Sequence, residues 1–291
     1  MAENTTAIPQ GSWVLVTAAN GYTGSHIVFA LLKRGFKVRG TVRDLDSSQW
    51  ILNDDFVAPF VKSGDFELVV ADTSKPDDFD QAVKGVSAVI HVAIITNLVP
   101  DPTAAWALPP YEADRIMPVY FAAKVEAEKA VWKFVQDEKL PWVVNSVSPC
   151  VILGDLRDDK HLRSVPPQFI EQLYLGNTTN LQTPAMYYSH VTDVALIHVA
   201  AALDPAVKGQ RIQVLAKSFT WNTCLDLLRK ACPSRKFIDN FIAGDPKLTY
   251  KIENDIAPGL LQKWAGRDWI SLETSVTEMV DYMVKTKKLD A

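Results

Sequence analysis

The chain has 291 residues, of which 48% are hydrophobic and 22% are charged, and its formal net charge at pH 7 is -4. This length provides an ordinary buried core in one large α/β domain or two smaller ones, so a disordered chain and a short stapled scaffold are excluded. Because the charge balance is slightly acidic and there is no basic run, nucleic acid and anionic membranes are disfavoured as partners. A small molecule is the expected partner.

Cysteine usage and the N-terminus indicate a cytoplasmic protein. The three cysteines are too few and too unevenly spaced for a disulfide framework, and none forms a CxxC pair near a histidine cluster. The segment Met1–Ser12 lacks the apolar stretch of a signal peptide, and the longest apolar run, Val89–Ile95, is interrupted by His91. We therefore expect no metal, no membrane span and a cytoplasmic location.

Residues 1–95 alternate β-branched runs with helical periodicity, which is typical of βαβ units and a parallel sheet. The clearest element is a helix at Gly24–Arg34, because its apolar residues form one stripe and Gly35 follows at the place of a C-cap glycine. Further helices are predicted at Ser48–Val61 and Asp77–Lys84. Strands are predicted at Trp13–Thr17, Lys37–Val42, Glu67–Ala71 and Ala88–Val92.

A proline-rich stretch interrupts this rhythm. Five prolines between residues 98 and 118 predict a loop, because proline disrupts both regular helices and central strands. A long helix at Val119–Asp137 and a strand at Trp142–Val147 are predicted to follow. The remaining predicted elements are helices at Gln168–Leu175 and Thr192–Leu203, a strand at Arg211–Leu215, and three C-terminal helices.

The predicted elements divide the chain into two parts. Residues 1–150 are predicted to form a dinucleotide-binding domain. Residues 151–291 are predicted to form mainly a smaller, helix-rich substrate lobe, from which residues 190–216 return to the core of the first domain. The expected fold class is α/β, with a Rossmann-like, doubly wound parallel sheet.

The first predicted strand ends in a glycine-containing turn that leads directly into the Gly24–Arg34 helix. In a strand-turn-helix of this kind, glycines let the backbone approach a pyrophosphate, which binds the free N–H groups and the positive end of the helix. A glycine pair alone would indicate only a tight turn, but the flanking strand and helix favour dinucleotide binding. The predicted binding residues are Ala18, Asn20, Gly21, Tyr22, Thr23 and Gly24.

The second predicted strand carries two arginines, Arg39 and Arg43, and no acidic residue where a carboxylate would bind the ribose 2′-hydroxyl. A guanidinium can bind a 2′-phosphate through two hydrogen bonds, so NADP(H) is favoured over NAD(H). Alternatively, the two arginines merely solvate the strand end, and nearby Asp44 neutralises one of them.

Tyr120 and Lys124 lie four residues apart on the predicted long helix, so both project from the same face. A nearby ammonium lowers a tyrosine pKa, which makes Tyr120 a candidate general acid for a carbonyl oxygen that receives hydride. Such a pair also occurs by chance on amphipathic helices, and it gains meaning here from the upstream glycine turn.

Together these motifs resemble the extended short-chain dehydrogenase/reductase family, and most closely its dihydroflavonol-reductase-like branch, which includes fungal NADPH-dependent aldehyde and ketone reductases. The resemblance covers most of the chain, through VLVTAANGYTGSH (14–26), KVRGTVRD (37–44), VIHVA (89–93), YFAAKVEAEK (120–129) and FTWNT (219–223). It implies that Tyr120 donates the proton and that Lys124 binds the ribose. It also implies positions beside the adenine for Asp72 and Thr73, beside the cofactor ribose for Ala93, and beside the nicotinamide for Ser148, Pro149 and Val151.

Two features depart from the family pattern. The leading glycine of the family's turn is Ala18 here, which costs about 1 kcal/mol if its φ must be positive. In addition, only 29 positions separate His91 from Tyr120, whereas relatives insert a further helix and strand there, so one αβ repeat is missing. In relatives, the missing repeat contains the strand end that presents a catalytic Ser or Thr to the carbonyl. In this sequence, Thr96 is the one hydroxyl in a comparable local setting.

The missing repeat leaves two possible sheets. In the first, later strands move one slot inward and the sheet closes, which we expect. In the second, the slot stays empty and leaves strand edges and apolar faces unpaired, unless another chain supplies a strand. In the closed sheet, the inward move of the later strands would displace Tyr120. A displacement of about 1 Å already costs a catalytic group roughly a hundredfold in rate. The shortened segment could also reflect an alternative transcript.

The sequence thus supports two hypotheses of function. The first is NADPH-dependent reduction of an aldehyde or ketone on a hydrophobic small molecule, in fungal secondary metabolism, by a monomer or homodimer. The second is a redox-silent relative that binds a ligand or catalyses isomerisation, cyclisation or dehydration. His190 and Asp193 invite a catalytic interpretation, but they precede an apolar helix, so helix capping and lobe packing are the favoured explanation.

Overall fold

The computed structural model describes residues 6–75, 77–93, 116–181, 183–244, 246, 248, 256–286, 288 and 289. It confirms the predicted α/β class, because parallel strands alternate with helices through the first half of the chain. No helix within these ranges is long and apolar enough to cross a membrane. Thr96 and the predicted loop up to residue 115 lie outside the described residues.

Four parallel strands form the first sheet in the order β3-β2-β1-β4. The predicted strand positions are confirmed, with small differences at the ends. The predicted helix Ser48–Val61 is instead two short helices, because the Asp54 carboxylate accepts the N–H groups of Phe56 and Val57 and starts a new turn. The elements are β1 (Trp13–Val16), α1 (Tyr22–Leu32), β2 (Lys37–Val42), α2 (Gln49–Leu52), α3 (Ala58–Ser63), β3 (Phe66–Val70), α4 (Phe79–Ala82) and β4 (Ala88–Ile90).

The second half of the described chain contains two further, separate sheets. One pairs β5 with β8 in parallel, and the other has the order β6-β7-β9, with β9 antiparallel. The three predicted C-terminal helices are confirmed as α8, α9 and α10. The elements are α5 (Ile116–Glu138), β5 (Ser146–Pro149), β6 (Val151–Leu153), α6 (Val165–Tyr174), β7 (Met186–His190), α7 (Val191–Leu203), β8 (Arg211–Val214), β9 (Lys217–Phe219), α8 (Trp221–Ala231), α9 (Ile256–Ala265) and α10 (Leu272–Lys285).

The expectation that the sheet closes over the missing repeat is wrong. Within the described ranges, β4 pairs only with β1, and β5 pairs only with β8, so no ladder joins the two sheets. On β4, the Val89 side chain is 49% exposed, which is unusual for a strand in the middle of an α/β sheet. Among its described residues, the structure therefore corresponds to the second arrangement, in which the position of the missing strand stays empty.

Helix α7 explains why the two sheets keep their separate places. It is apolar around most of its circumference, and its side chains enter two different cores. Ala195, Val199 and Leu203 pack with α1 and the first sheet, whereas Ile197 and Ala200 pack with β8 and α9. Because one rigid helix packs against both sheets, α7 would lose its packing against one of them if β5 moved inward.

Helix α5 begins earlier than predicted and has little cover. Its first turn includes Pro118, which the first turn of a helix tolerates because that N–H has no helical partner. Among the residues of α5 whose burial is described, from Tyr120 onward, none is fully buried. Its apolar side chains Phe121 (58%) and Phe134 (52%) are strongly exposed. This helix therefore has an apolar face that the described residues leave open to solvent.

The strand predicted at Trp142–Val147 begins only at Ser146. Trp142 and Val143 are 55% and 53% exposed and pair with no strand. Asn145 fixes the start of β5 instead, because its side-chain amide donates to the carbonyl oxygens of Ala201 and Val207. These bonds attach β5 to the end of α7 rather than to β4.

The C-terminal lobe has its own core, formed by α6, α8 and α10 around the β6-β7-β9 sheet. Tyr174 and Trp221 are among the largest side chains in this core, and both are almost fully buried. Tyr22 of α1 also belongs to it, so the first helix of the dinucleotide-binding part contacts the lobe directly.

Candidate active site

The glycine turn has the geometry that close approach of a ligand requires. A Cβ atom on Gly24 would lie 2.1 Å from the Ala18 carbonyl oxygen, so only glycine fits there. Ala18 itself has φ 51°, in the left-handed region, which confirms that this turn needs a positive φ at the family's first glycine. The strain anticipated from the sequence is therefore present, although Ala18 is accommodated.

The N-terminus of α1 offers backbone N–H groups for an anion. No side chain caps the helix at Gly21, and its first turn contains no acidic residue. The first N–H groups of an uncapped helix lack internal partners and carry partial positive charge. The Tyr22 side chain takes no part in this surface, because its buried hydroxyl donates to the Gly154 carbonyl at 2.9 Å. Tyr22 and Thr23 can thus contribute their backbone N–H groups to a phosphate.

Asn20 connects the glycine turn to two neighbouring segments. Its side-chain amide donates to the Ser48 hydroxyl at 2.7 Å, just after β2. Its carbonyl oxygen faces Nε2 of His161 at 3.4 Å. Because Nδ1 of His161 accepts the N–H of Arg157, Nε2 is the nitrogen that carries the proton and donates to Asn20. Burial lowers the pKa of His161 to about 4, so the ring is neutral at pH 7.

The two arginines on β2 have different surroundings. Arg39 pairs with Glu67 at 2.6 Å, and its guanidinium also donates to the carbonyl oxygens of Ala82 and Lys84. The Arg39 side chain is therefore engaged by the neighbouring strand and the end of α4, and its contact with a 2′-phosphate stays a prediction. Arg43 follows the last residue of β2, is exposed, and forms no ion pair within the described chain. Of the two arginines, Arg43 is therefore the one whose guanidinium is available to bind a 2′-phosphate.

Asp72 and Thr73 follow the end of β3, close to this arginine. The Asp72 carboxylate accepts the backbone N–H and the hydroxyl of Ser74, and these bonds hold its pKa below the usual value. The charge of Arg43 lowers the pKa of Asp72 further. Thr73 is exposed beside it. The structure thus brings Arg43, Asp72 and Thr73 to one edge of the sheet.

His91 organises the end of β4. The Thr17 hydroxyl accepts the N–H groups of Val92 and Ala93, both at 2.9 Å, so its own proton points to Nδ1 of His91 at 3.2 Å. Burial, and after it the charge of Lys124, lowers the pKa of His91. The network fixes Ala93 beside the glycine turn.

Tyr120 and Lys124 lie together on one side of α5. The ammonium of Lys124 is 6.0 Å from the centre of the Tyr120 ring. Burial raises the pKa of Tyr120 and lowers the pKa of Lys124. The pKa of Tyr120 is thus raised by burial in this structure, and the lowering of it by Lys124 stays a prediction.

Ser148, Pro149 and Val151 occupy the end of β5 and the start of β6. Val151 is buried in the lobe core, whereas Ser148 and Pro149 are partly exposed. The Ser148 hydroxyl accepts a hydrogen bond from Arg211 at 3.4 Å, and Arg211 also pairs with Glu128 of α5 at 2.9 Å. This ion pair attaches the YxxxK helix to the sheet that carries Ser148.

Three features of the site were not anticipated from the sequence. The histidines at 91 and 161 act on the cofactor loops through Thr17 and Asn20, and the Arg211–Glu128 pair holds α5. His91 lies in the motif VIHVA, so the sequence could predict its position at a strand end. The sequence could not predict its contact with the Thr17 hydroxyl, because Thr17 is distant in the chain. The predicted capping role of His190 is confirmed, because its side chain accepts the Thr192 N–H.

The parallel sheet, with its strand order and its glycine turn before α1, defines a dinucleotide-binding protein of the Rossmann type. Residues 10–103 match the NmrA-like family. The ketoreductase adrE of Penicillium roqueforti is 30% identical over 92% of this chain and 96% of its own length. The chain belongs to the extended short-chain dehydrogenase/reductase family, as the resemblance implied.

Other relatives are similar along nearly their whole length. Aldehyde reductase 2 of Sporidiobolus salmonicolor is 29% identical over 94% of this chain and 96% of its own, and the NAD-dependent epimerase/dehydratase terH of Aspergillus terreus is 26% identical over 97% and 99%. The last alignment spans 344 positions, more than the 291 residues of the chain, so this relative has residues with no counterpart here. That difference agrees with a missing repeat.

Solved structures share the fold at low sequence identity. The yeast methylglyoxal/isovaleraldehyde reductase in complex with NADPH has a TM-score of 0.75 at 21% identity, covering 95% of this chain and 99% of its own. Vestitone reductase from alfalfa has a TM-score of 0.69 at 19% identity, covering 96% of this chain and 100% of its own. These similarities establish the fold alone.

Proposed function

We propose that this protein reduces an aldehyde or ketone on a hydrophobic small molecule with NADPH. The observation that carries the proposal is the placement of Tyr120 and Lys124 on one side of α5, with the ammonium 6.0 Å from the centre of the ring, in a chain whose glycine turn leads into α1. Aldehyde and ketone reductases among the relatives support the same reaction class.

The residues present fit NADPH. Gly24 has no room for a side chain, and the uncapped start of α1 leaves N–H groups for a pyrophosphate. Arg43 supplies an unpaired positive charge at the end of β2, and the Asp44 carboxylate is engaged by the N–H of Ser47 rather than aimed at a ribose. A dinucleotide with a 2′-phosphate therefore suits this chain better than one without.

The chain contributes a proton donor and its partner. NADPH, when bound, supplies the hydride that adds to the carbonyl carbon. As the carbonyl π electrons move onto oxygen, the Tyr120 hydroxyl donates its proton to that oxygen. Burial raises the pKa of Tyr120, so the hydroxyl holds its proton until an alkoxide forms. We expect Lys124, whose ammonium lies 6.0 Å from the ring centre, to stabilise the phenolate that remains and to bind the cofactor ribose, as the family resemblance implies.

Two further aspects belong to this proposal. All three cysteines are free thiols, and Cys150 is exposed, which suits the reducing cytoplasm. A monomer or a homodimer stays the expected oligomeric state. A carbonyl polariser at Thr96 stays a prediction, since Thr96 lies outside the described residues.

The proposal is tested by mixing the purified protein with NADPH and a panel of aryl ketones and aliphatic and aromatic aldehydes. Cofactor oxidation should depend on the carbonyl compound, and Tyr120→Phe should remove it while NADPH still binds, as measured by cofactor fluorescence. Turnover that is no higher than in the Tyr120→Phe control would contradict the proposal. Tight NADPH binding without consumption by either protein would indicate the redox-silent alternative.

A further inference from the structure

One segment of the lobe contacts both loops that the cofactor proposal uses. After β6 the chain runs over the start of α1, where the Gly154 carbonyl accepts the Tyr22 hydroxyl. A few residues later His161 donates to the carbonyl of Asn20 in the glycine turn. Its neighbour Lys160 reaches the loop after β2, where its ammonium bonds the Ser47 carbonyl oxygen. Adjacent lobe residues therefore contact the pyrophosphate turn and the loop that follows Arg43.

The positive charge of Lys160 acts on Asp44 but is held in no ion pair among the described residues. Lys160 is half-buried, and its one side-chain hydrogen bond goes to a neutral carbonyl. An ammonium has three N–H donors, so two of them are free to bind another group. The loop that it contacts begins with Arg43, whose guanidinium is also without an ion pair.

The loop carries two carboxylates, Asp44 and Asp46, and hydrogen bonds already engage Asp44. Asp44 accepts the N–H of Ser47 at 2.8 Å, and its carbonyl oxygen accepts the Ser48 hydroxyl. Hydrogen bonds from Ser47 lower the pKa of Asp44, and the charge of Lys160 makes a smaller contribution in the same direction. Lys160 thus offsets the negative charge of Asp44, which would otherwise repel a phosphate bound by Arg43.

We propose that Lys160 is a specificity-determining residue for the cofactor, providing with Arg43 the second positive charge for the 2′-phosphate of NADPH. The inference rests on the proposed function. It goes beyond it, because a residue of the C-terminal lobe, remote in sequence from the Rossmann motifs, would distinguish a dinucleotide with a 2′-phosphate from one without. It also makes cofactor binding depend on the contact between the lobe and α1.

The test compares two small nucleotides that need no redox chemistry and differ only in the 2′-phosphate, 2′,5′-ADP and 5′-AMP, by isothermal titration calorimetry. The wild-type protein should bind 2′,5′-ADP more tightly. Lys160→Met should weaken the binding of 2′,5′-ADP about tenfold, the effect of losing one charge-assisted contact to phosphate, and should change 5′-AMP binding less than about twofold. Lys160→Arg should restore most of the discrimination. High salt should reduce the wild-type preference, because the contact is electrostatic.

His161→Phe is the matched control. It disturbs the same lobe segment by removing the donor to Asn20, but it leaves the charge of Lys160 in place. This variant should weaken both nucleotides by the same factor. Thermal melting of each variant shows whether the fold is retained before the binding data are compared.

Two results would overturn the inference. If Lys160→Met weakens both nucleotides equally, Lys160 only holds the loop in place. If the wild-type protein binds 5′-AMP as tightly as 2′,5′-ADP, no 2′-phosphate subsite exists, even if the enzyme reduces ketones. Conversely, a wild-type preference that Lys160→Met removes supports the inference even without turnover, and the absence of turnover then contradicts only the reductase proposal.

Discussion

Replacing Ala18 with glycine should stabilise the protein. Ala18 has φ 51°, a left-handed conformation that costs an L-residue about 1–2 kcal/mol and costs glycine almost nothing. Glycine also gives the unfolded chain more freedom, which opposes the gain by about 0.4–1 kcal/mol. The net increase in the free energy of unfolding is therefore about 0.5–1 kcal/mol, which corresponds to a rise in Tm of about 1–3 °C for a chain of this size.

The matched control is Gly64→Ala. Gly64, the C-cap of α3, has φ 76°, and nothing lies within 4 Å of the place where its Cβ would be. This substitution adds the same backbone strain without adding a contact, so Tm should fall by a similar amount. Differential scanning calorimetry of the two variants and the wild type, with and without NADPH, measures both effects.

The reasoning is refuted if Gly64→Ala lowers Tm as expected while Ala18→Gly lowers it too or leaves it unchanged. That result would mean that the surrounding turn does not hold residue 18 in the left-handed region. If the added glycine stabilises the protein, the same variant should also bind NADPH at least as tightly as the wild type, because the turn then reaches its bound geometry without strain.

Three other substitutions test different parts of the structure. Arg267→Ala should lower the free energy of unfolding, measured in urea, by about 2–4 kcal/mol, because it leaves the buried Asp193 carboxylate without its ion-pair partner at 2.7 Å. As the control, Lys133→Ala breaks an exposed ion pair on α5 and should cost under about 0.5 kcal/mol. Burial lowers the pKa of His161 from 6.5 to about 4, so the folded state excludes a proton that the unfolded chain binds, and stability should fall as pH drops from 6.5 towards 4. His161→Phe should flatten that pH dependence of Tm, and an unchanged slope would contradict the argument. Phe134→Ser should shift Tm by less than about 1 °C, because the ring is 52% exposed, and a larger loss would show that this face of α5 is covered.

The first half of the fold was predictable because its signals are local. The stripe of Ile27, Val28, Leu31 and Leu32 is buried as the helical period requires, and Gly35 has the positive φ expected after a helix. The glycine turn was equally predictable from the sequence, and the structure shows that Gly24 cannot carry a side chain there. Each of these inferences depends on neighbours within a few residues along the chain.

The arrangement of the second half depends on contacts between distant segments. Strand β5 stays apart from β4 because α7 and Asn145 hold it from the other side, and neither partner is visible from the β5 sequence alone. The ion-pair partner of Arg39 could not be predicted for a related reason. Parallel pairing of β2 with β3 places Glu67 directly opposite Arg39, so the register, rather than the local sequence, decides which arginine stays available.

Because α7 anchors β5 independently of β4, the stretch between β4 and α5 tolerates changes of length that would dismantle a sheet held together only by its ladder. In an enzyme lineage this makes the position a natural place for deletion and insertion. For protein engineering, it makes the same position a candidate junction at which a foreign βα unit could be grafted while both flanking halves keep their packing.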